Sequence, residues 1–231
     1  MNRADAAAAT PSSGLRERAL TAVILAPLGI AAVMLLPQIW FATVLGLLFL
    51  IGVWEWTHLS GWRSTPARGV VIALHVLMFA GAWFASDTVR VQIVFSGVLF
   101  WLLAPWWLRH YHFGERTSQR SLAIKTLACA LAIVPAWTAA IVLHGGERGP
   151  WWVLFLLVLV WCADSCAYFA GRRFGTTKLA PNISPGKTTA GVYGALVGCT
   201  FYALGLGHFV FAVPAQRLLI FVALCIVTML F

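Results

Sequence analysis

The residue on which chemistry could turn is Asp164, in the stretch Trp161-Cys162-Ala163-Asp164-Ser165-Cys166-Ala167-Tyr168. It sits inside an apolar run long enough to cross a bilayer. An ionised carboxylate there costs several kcal/mol unless it is paired or solvated, so an intramembrane Asp is a candidate functional group by default. The plain alternative is a buried ion pair with Arg172, two helical turns on. Downstream lies the longest polar stretch between apolar runs, Gly171 to Thr189, which gathers Arg172, Arg173, Lys178 and Lys187 with several hydroxyls and no carboxylate. Backbone N–H groups near Gly186, the ammonium of Lys187 and the hydroxyls of Ser184 and Thr188 are a donor set suited to phosphate oxygens. A helix beginning near Thr189 would aim its positive N-terminal end at the same anion. Gly186-Lys187-Thr188 is not a Walker A loop, because Pro181 stands where that loop needs its first glycine.

Other polar residues carry weaker signals. Glu55, in Trp54-Glu55-Trp56, could orient a loop cation or simply reach toward the interface. The six histidines have no ligand spacing, and His110 and His112 merely flank Tyr111. The five cysteines (Cys129, Cys162, Cys166, Cys199 and Cys225) have no C-x-x-C spacing and read as small packing residues. Gly191, Gly194 and Gly198 line one side of a helix, where a G-x-x-x-G pair marks close helix packing.

These residues are positioned by membrane helices. The chain of 231 residues is 61% apolar and 10% charged, with mean hydropathy +0.87. A soluble domain is about half apolar and about a quarter charged, so the excess apolar surface must face lipid. The apolar runs predict transmembrane helices over 20–36, 39–56, 69–85, 91–108, 121–143, 151–170 and 190–213, most near the ~20 residues a span needs. An eighth run starts at Leu218. The expected fold is all-α and polytopic: seven complete spans and a partial eighth, in one membrane domain (16–231) behind a disordered tail (1–15). The last run is too short to cross before it meets Phe231, so the sequence is expected to be C-terminally truncated.

The net charge of +9 is spread over short connections rather than a soluble module, which argues against nucleic acid. The cations alternate in density. Thirteen (Arg3, Arg16, Arg18, Arg63, Arg68, Arg109, Arg116, Arg120, Lys125, Arg172, Arg173, Lys178 and Lys187) fall on one side, and three (Arg90, Arg148 and Arg217) on the other. This positive-inside bias predicts a cytoplasmic N-terminus and a cytoplasmic Gly171–Thr189 loop.

Taken in order, Ala163-Asp164-Ser165, Ala167-Tyr168, Gly171, Phe174-Gly175, Lys178-Leu179-Ala180-Pro181 and Ser184-Pro185-Gly186-Lys187-Thr188 resemble the bacterial phosphatidate cytidylyltransferases (CDP-diacylglycerol synthases). Arg18-Ala19-Leu20-Thr21-Ala22 and Trp54-Glu55-Trp56 with Leu59-Ser60-Gly61 add weaker support, so the likeness runs from about Arg16 to the end. The family's metal-holding carboxylates, in a later segment, have no counterpart here. The resemblance implies a bacterial inner-membrane enzyme that joins CTP to phosphatidic acid, releasing pyrophosphate, with Mg2+ as cofactor. It implies catalytic roles for Asp164 and Lys187 and substrate contacts from Arg172, Lys178, Ser184, Pro185, Gly186 and Thr188. Asp164 is a metal ligand or orients a loop lysine, with the main metal ligands expected beyond this sequence and the 231 residues alone expected to be inactive. Partners are then CTP, phosphatidic acid and membrane lipids, with homodimer formation left open. The rival readings are a transporter, an inactive paralogue and a CTP-dependent lipid kinase. A transporter would show ionisable residues at mid-membrane on several helices, whereas here they gather at one end.

Overall fold

The computed structural model describes residues 12–109, 118–181 and 184–230. His110, His112, Arg116 and residues 1–11 of the expected tail lie outside that range, as do Asn182 and Ile183. The elements in order are α1 (Ser12–Leu35), α2 (Gln38–Ser60), α3 (Thr65–Phe84), α4 (Asp87–Arg109), α5 (Gln119–His144), α6 (Gly149–Phe174), β1 (Lys178–Ala180), β2 (Ser184–Thr188), α7 (Thr189–Phe209) and α8 (Ala215–Leu230). Six helices, α2 to α7, are long and apolar enough to cross a membrane; the apolar parts of α1 (Val23–Leu35) and α8 (Ala215–Met229) are shorter. The protein is a helical, multi-pass membrane protein, as its composition required.

Helix boundaries shift from the sequence reading, most by one to four residues, and three of the shifts are instructive. The first helix begins at Ser12, ahead of the expected position 20. The seventh ends at Phe209 rather than 213, because Val210 and Phe211 both donate to Leu206 O and Ala212 turns to φ 51° just before Pro214. The sixth continues one turn past 170 to Phe174, so Arg172 and Arg173 are helical residues rather than loop residues. What remains of the expected loop is an antiparallel hairpin, with Lys178 opposite Thr188 and Ala180 opposite Ser184 and an irregularity in between. Backbone groups near lipid need partners, and pairing the two strands supplies them.

The chain divides into two compact units, residues 1–150 and 151–231. In the first, polar side chains close helix ends and lock helices to one another. Arg68 of α3 donates from Nε to Thr57 Oγ1 (2.9 Å) and from a terminal nitrogen to Trp54 O (3.0 Å), while its guanidinium lies 3.7 Å from the Trp54 ring centroid. A cation at the carbonyl end of α2 is electrostatically favoured. Arg90 likewise donates to Ala82 O and Trp83 O at the end of α3 and pairs with Asp87. Trp56 and Trp62 of the α2 end donate to Lys125 O and Thr126 Oγ1 of α5. At the centre, Trp137 stacks on Phe79 with centroids 4.7 Å apart and donates to Ala42 O. Gly97 lets α4 cross α5 at Pro135: a Cβ there would fall 2.4 Å from the proline Cβ.

The second unit holds α6, the hairpin, α7 and α8. Its core joins Phe155 and Leu159 of α6, Cys199 and Ala203 of α7, and Val222 and Cys225 of α8. Tyr202 donates to Phe155 O at 3.0 Å. The glycine side of α7 is the face that meets α6. A Cβ on Gly194 would lie 2.3 Å from that of Ala170, and one on Gly191 would lie 3.0 Å from Ala167 O. The G-x-x-x-G pair is a packing feature, as its small size suggests.

Candidate functional site

The site grows out of one face of α6. Residues four apart on a helix stack along one row. Two such rows run side by side here: Ala163, Ala167, Gly171 and Gly175 are small, and Asp164, Tyr168 and Arg172 are polar. All seven line a cavity of about 540 Å³ within the second unit. The hairpin brings Lys178, Leu179, Gly186 and Lys187 to the same cavity, α7 brings Val192 and Ala195, and α8 brings Met229.

Thr188 ties these elements together. It is only 7% exposed, ends β2 and caps α7, its hydroxyl oxygen accepting from Gly191 N at 3.1 Å. The helix therefore starts at Thr189, where the sequence placed it. Thr189 N donates to Thr177 O, so two of the first three amides of α7, those of Thr189 and Gly191, already have partners. What the helix end offers an anion is its dipole, and what Thr188 has left to offer is its own hydroxyl proton. The two glycines at the end of α6 make room for this cap: a Cβ on Gly171 would lie 2.9 Å from Thr188 Oγ1, and one on Gly175 2.8 Å from it.

The predicted residues do not all converge. Asp164, Arg172, Lys178, Gly186, Lys187 and Thr188 share the cavity, whereas Ser184 and Pro185, nearer the hairpin turn, are not among its lining residues. Asp164 is exposed to it and does not pair with Arg172. The Arg172 guanidinium instead donates to the Tyr168 hydroxyl at 3.0 Å, one turn back. Eight residues separate Asp164 from Arg172, about 12 Å along a helix axis, so the carboxylate and the guanidinium stand at different depths. Among the described residues, Asp164, Lys178 and Lys187 have neither a hydrogen-bond nor an ion-pair partner from their side chains. Glu55, exposed on α2, is likewise unpartnered there, while its neighbours Trp54 and Trp56 serve the helix contacts described above.

The sequence reading missed Tyr168 as a site residue, together with the apolar lining of Leu179, Val192, Ala195 and Met229. The signal for Tyr168 was present: once the helix runs on to Phe174, the spacing of Asp164, Tyr168 and Arg172 places all three on one row. As for a metal, no group of three or more His, Cys, Asp or Glu side chains gathers among the described residues. The exposed, unpartnered Asp164 can serve as one ligand. Magnesium is commonly held by one or two carboxylates plus substrate phosphates, so the cavity suits an ion that arrives with a polyanion.

Six apolar spans define a multi-pass membrane protein, and among the described residues two lysines without side-chain partners and one carboxylate line a cavity set into its helices. The sequence model of the cytidylyltransferase family matches residues 16–231, and the chain belongs to that family. It is 31% identical over 187 residues to a phosphatidate cytidylyltransferase of Pseudomonas aeruginosa, which covers 79% of this chain and 66% of the relative. It is 30% identical over 211 residues to one of Haemophilus influenzae, covering 84% of this chain and 73% of the relative. A Thermotoga maritima phosphatidate cytidylyltransferase matches at 28% over 134 residues. The chain thus spans about two thirds of the length of the Pseudomonas protein.

Proposed function

We propose that this chain carries the phosphate-binding part of a phosphatidate cytidylyltransferase site, which joins CTP to phosphatidic acid and releases pyrophosphate. The observation that carries this reading is the grouping of Lys178, Lys187 and Arg172 around one cavity with Asp164, the two lysines and the carboxylate having no side-chain partner among the described residues. In the reaction an oxygen of the lipid phosphate bonds to the α-phosphorus of CTP, and the bond from that phosphorus to the β-phosphate oxygen breaks. Both reactants are anions, so catalysis rests on positioning and charge neutralisation. Lys187 and Lys178 hold nucleotide phosphates, the Thr188 hydroxyl donates to one of them, and Arg172 neutralises the second anion. The Gly186 backbone, and more distantly Ser184 and Pro185, shape the strand that presents Lys187. Asp164 orients the assembly as a magnesium ligand; the ion would supply charge neutralisation at the phosphates.

The apolar lining from Ala195, Val192 and Met229 suits the glycerol end of a lipid. The distribution of cations supports a cytoplasmic N-terminus and hairpin in a bacterial inner membrane. A transporter is less well supported, because the charges that share a cavity, Asp164, Arg172, Lys178 and Lys187, all lie in one unit.

The test is equilibrium binding of labelled CTP, with magnesium, to the chain in detergent. A charge-assisted hydrogen bond contributes about 1.5–3 kcal/mol, so Lys187→Ala should weaken binding by about tenfold or more while leaving the thermal transition in place. The companion assay is CDP-diacylglycerol formation by this chain and by the reading frame extended to its next stop. Wild-type CTP affinity in Lys187→Ala would overturn the assignment of that lysine, and release of CDP instead of pyrophosphate would move the reading to a lipid kinase.

A further inference from the structure

Behind the cavity wall, two thiols converge. Cys162 and Cys166 flank Asp164 on α6, and their sulfurs are 4.0 Å apart. Both are half-buried, whereas Cys129, Cys199 and Cys225 are fully buried, so these two are the accessible thiols of the five. They face one spot on α7. A Cβ added to Gly198 would lie 2.3 Å from the Cys166 sulfur and 3.6 Å from that of Cys162. Only a residue without a side chain leaves the pair undisturbed.

We propose that Cys162 and Cys166 form a two-thiol site for a soft, thiophilic d10 cation such as cuprous or mercuric ion. Metal–thiolate bonds are about 2.3 Å long, so two sulfurs on one ion lie about 3.8 Å apart in tetrahedral geometry and about 4.6 Å apart in linear geometry. The observed 4.0 Å lies between the two, so a two-coordinate ion needs the sulfurs to part by about 0.6 Å, which side-chain rotation on an intact α6 supplies. Ligand softness selects the ion: thiolates prefer copper(I) and its congeners to magnesium or calcium. Ligand number narrows it further. Cys199 of α7 also approaches Cys162, but it is fully buried and its thiol donates to Leu159 O at 3.8 Å. No group of three or more His, Cys, Asp or Glu is arranged to hold a metal among the described residues, and zinc ordinarily takes four ligands, whereas two-coordinate sites suit the softest ions. Binding replaces two S–H bonds with two S–metal bonds and releases two protons; nothing is oxidised or reduced. The ion would then bridge the two turns between which Asp164 lies, whatever the cavity binds.

Mercuric chloride titrated into the purified chain in detergent is the probe. The first equivalent should remove two maleimide-reactive thiols, mapped by peptide mass spectrometry to Cys162 and Cys166, and raise a near-ultraviolet thiolate-to-metal band. Cys162→Ser and Cys166→Ser should each abolish the two-for-one stoichiometry, and Cys129→Ser should keep it. Gly198→Ala, which leaves both sulfurs in place, should weaken the site by crowding it. Loss of one thiol per mercury, protection that maps to other cysteines, or two-thiol loss persisting in Cys166→Ser would each overturn the proposal. Should a serine variant fail to fold, the peptide map on the unaltered chain decides.

Discussion

The two units of this chain use polar side chains in opposite ways. In residues 1–150, arginine and glutamine donors are spent on carbonyls in the last turns of helices: Arg68 on Trp54 O of α2, Arg90 on Ala82 O of α3 and Gln38 on Ile141 O of α5. Buried His144 stacks on Phe41 and bonds Val33 O. In residues 151–231, Asp164, Lys178 and Lys187 line a cavity with no side-chain partner among the described residues. Unsatisfied charge near hydrocarbon is costly, so a cavity lined by it suits a ligand, whereas the donors bonded to helix carbonyls in the first unit serve its own stability.

Substitutions can break or sharpen that contrast. The largest effect should come from Trp137→Ala in the first unit, which removes the stack on Phe79 and the bond to Ala42 O. Large-to-small changes at such positions cost about 3–5 kcal/mol, so the thermal transition in detergent should fall markedly. CTP affinity of the folded fraction should be unchanged; a matching loss of affinity would erase the distinction between the units. Asp164→Asn should do the reverse. It keeps the shape and removes the charge, so the magnesium dependence of CTP binding should drop by about tenfold, in line with a charge-assisted contact, with stability unchanged or raised. A stability loss there would mean that Asp164 is a structural residue. The smallest effect belongs to Tyr168→Phe, which deletes only the hydroxyl that fixes Arg172. The donor is charged but the bond is exposed, so about 1 kcal/mol is expected of it, and substrate affinity should weaken about fivefold, with turnover held. An equal fall in turnover would place Tyr168 at the reacting atoms instead.

Much of this could be read from the sequence, for particular reasons. Long apolar runs with few charges can only be spans, and α2 to α6 overlap the expected runs with ends shifted by one to four residues. Asp164, Lys178 and Lys187 stood out because charge is rare here. The hairpin was not legible: Ser184-Pro185-Gly186-Lys187-Thr188 contains the residues that weaken strands, and its pairing depends on Thr188 being anchored against Gly171 and Gly175. Tyr168 was hidden by a misplaced boundary. Ending helix six at 170 put Arg172 in a loop, where no spacing rule could link it to the residue one turn earlier.

Carrying its polar row on a continuous helix makes this site sensitive to phase. Each residue of α6 advances the azimuth by about 100°, so Asp164, Tyr168 and Arg172 agree in direction only because the count between them is a whole number of near-turns. A site assembled from loops absorbs an inserted residue by bulging. Here one added residue between Asp164 and Tyr168 would swing the carboxylate out of the cavity while leaving composition, hydropathy and helix intact. The chemistry is therefore encoded as much in the spacing along α6 as in the residues themselves.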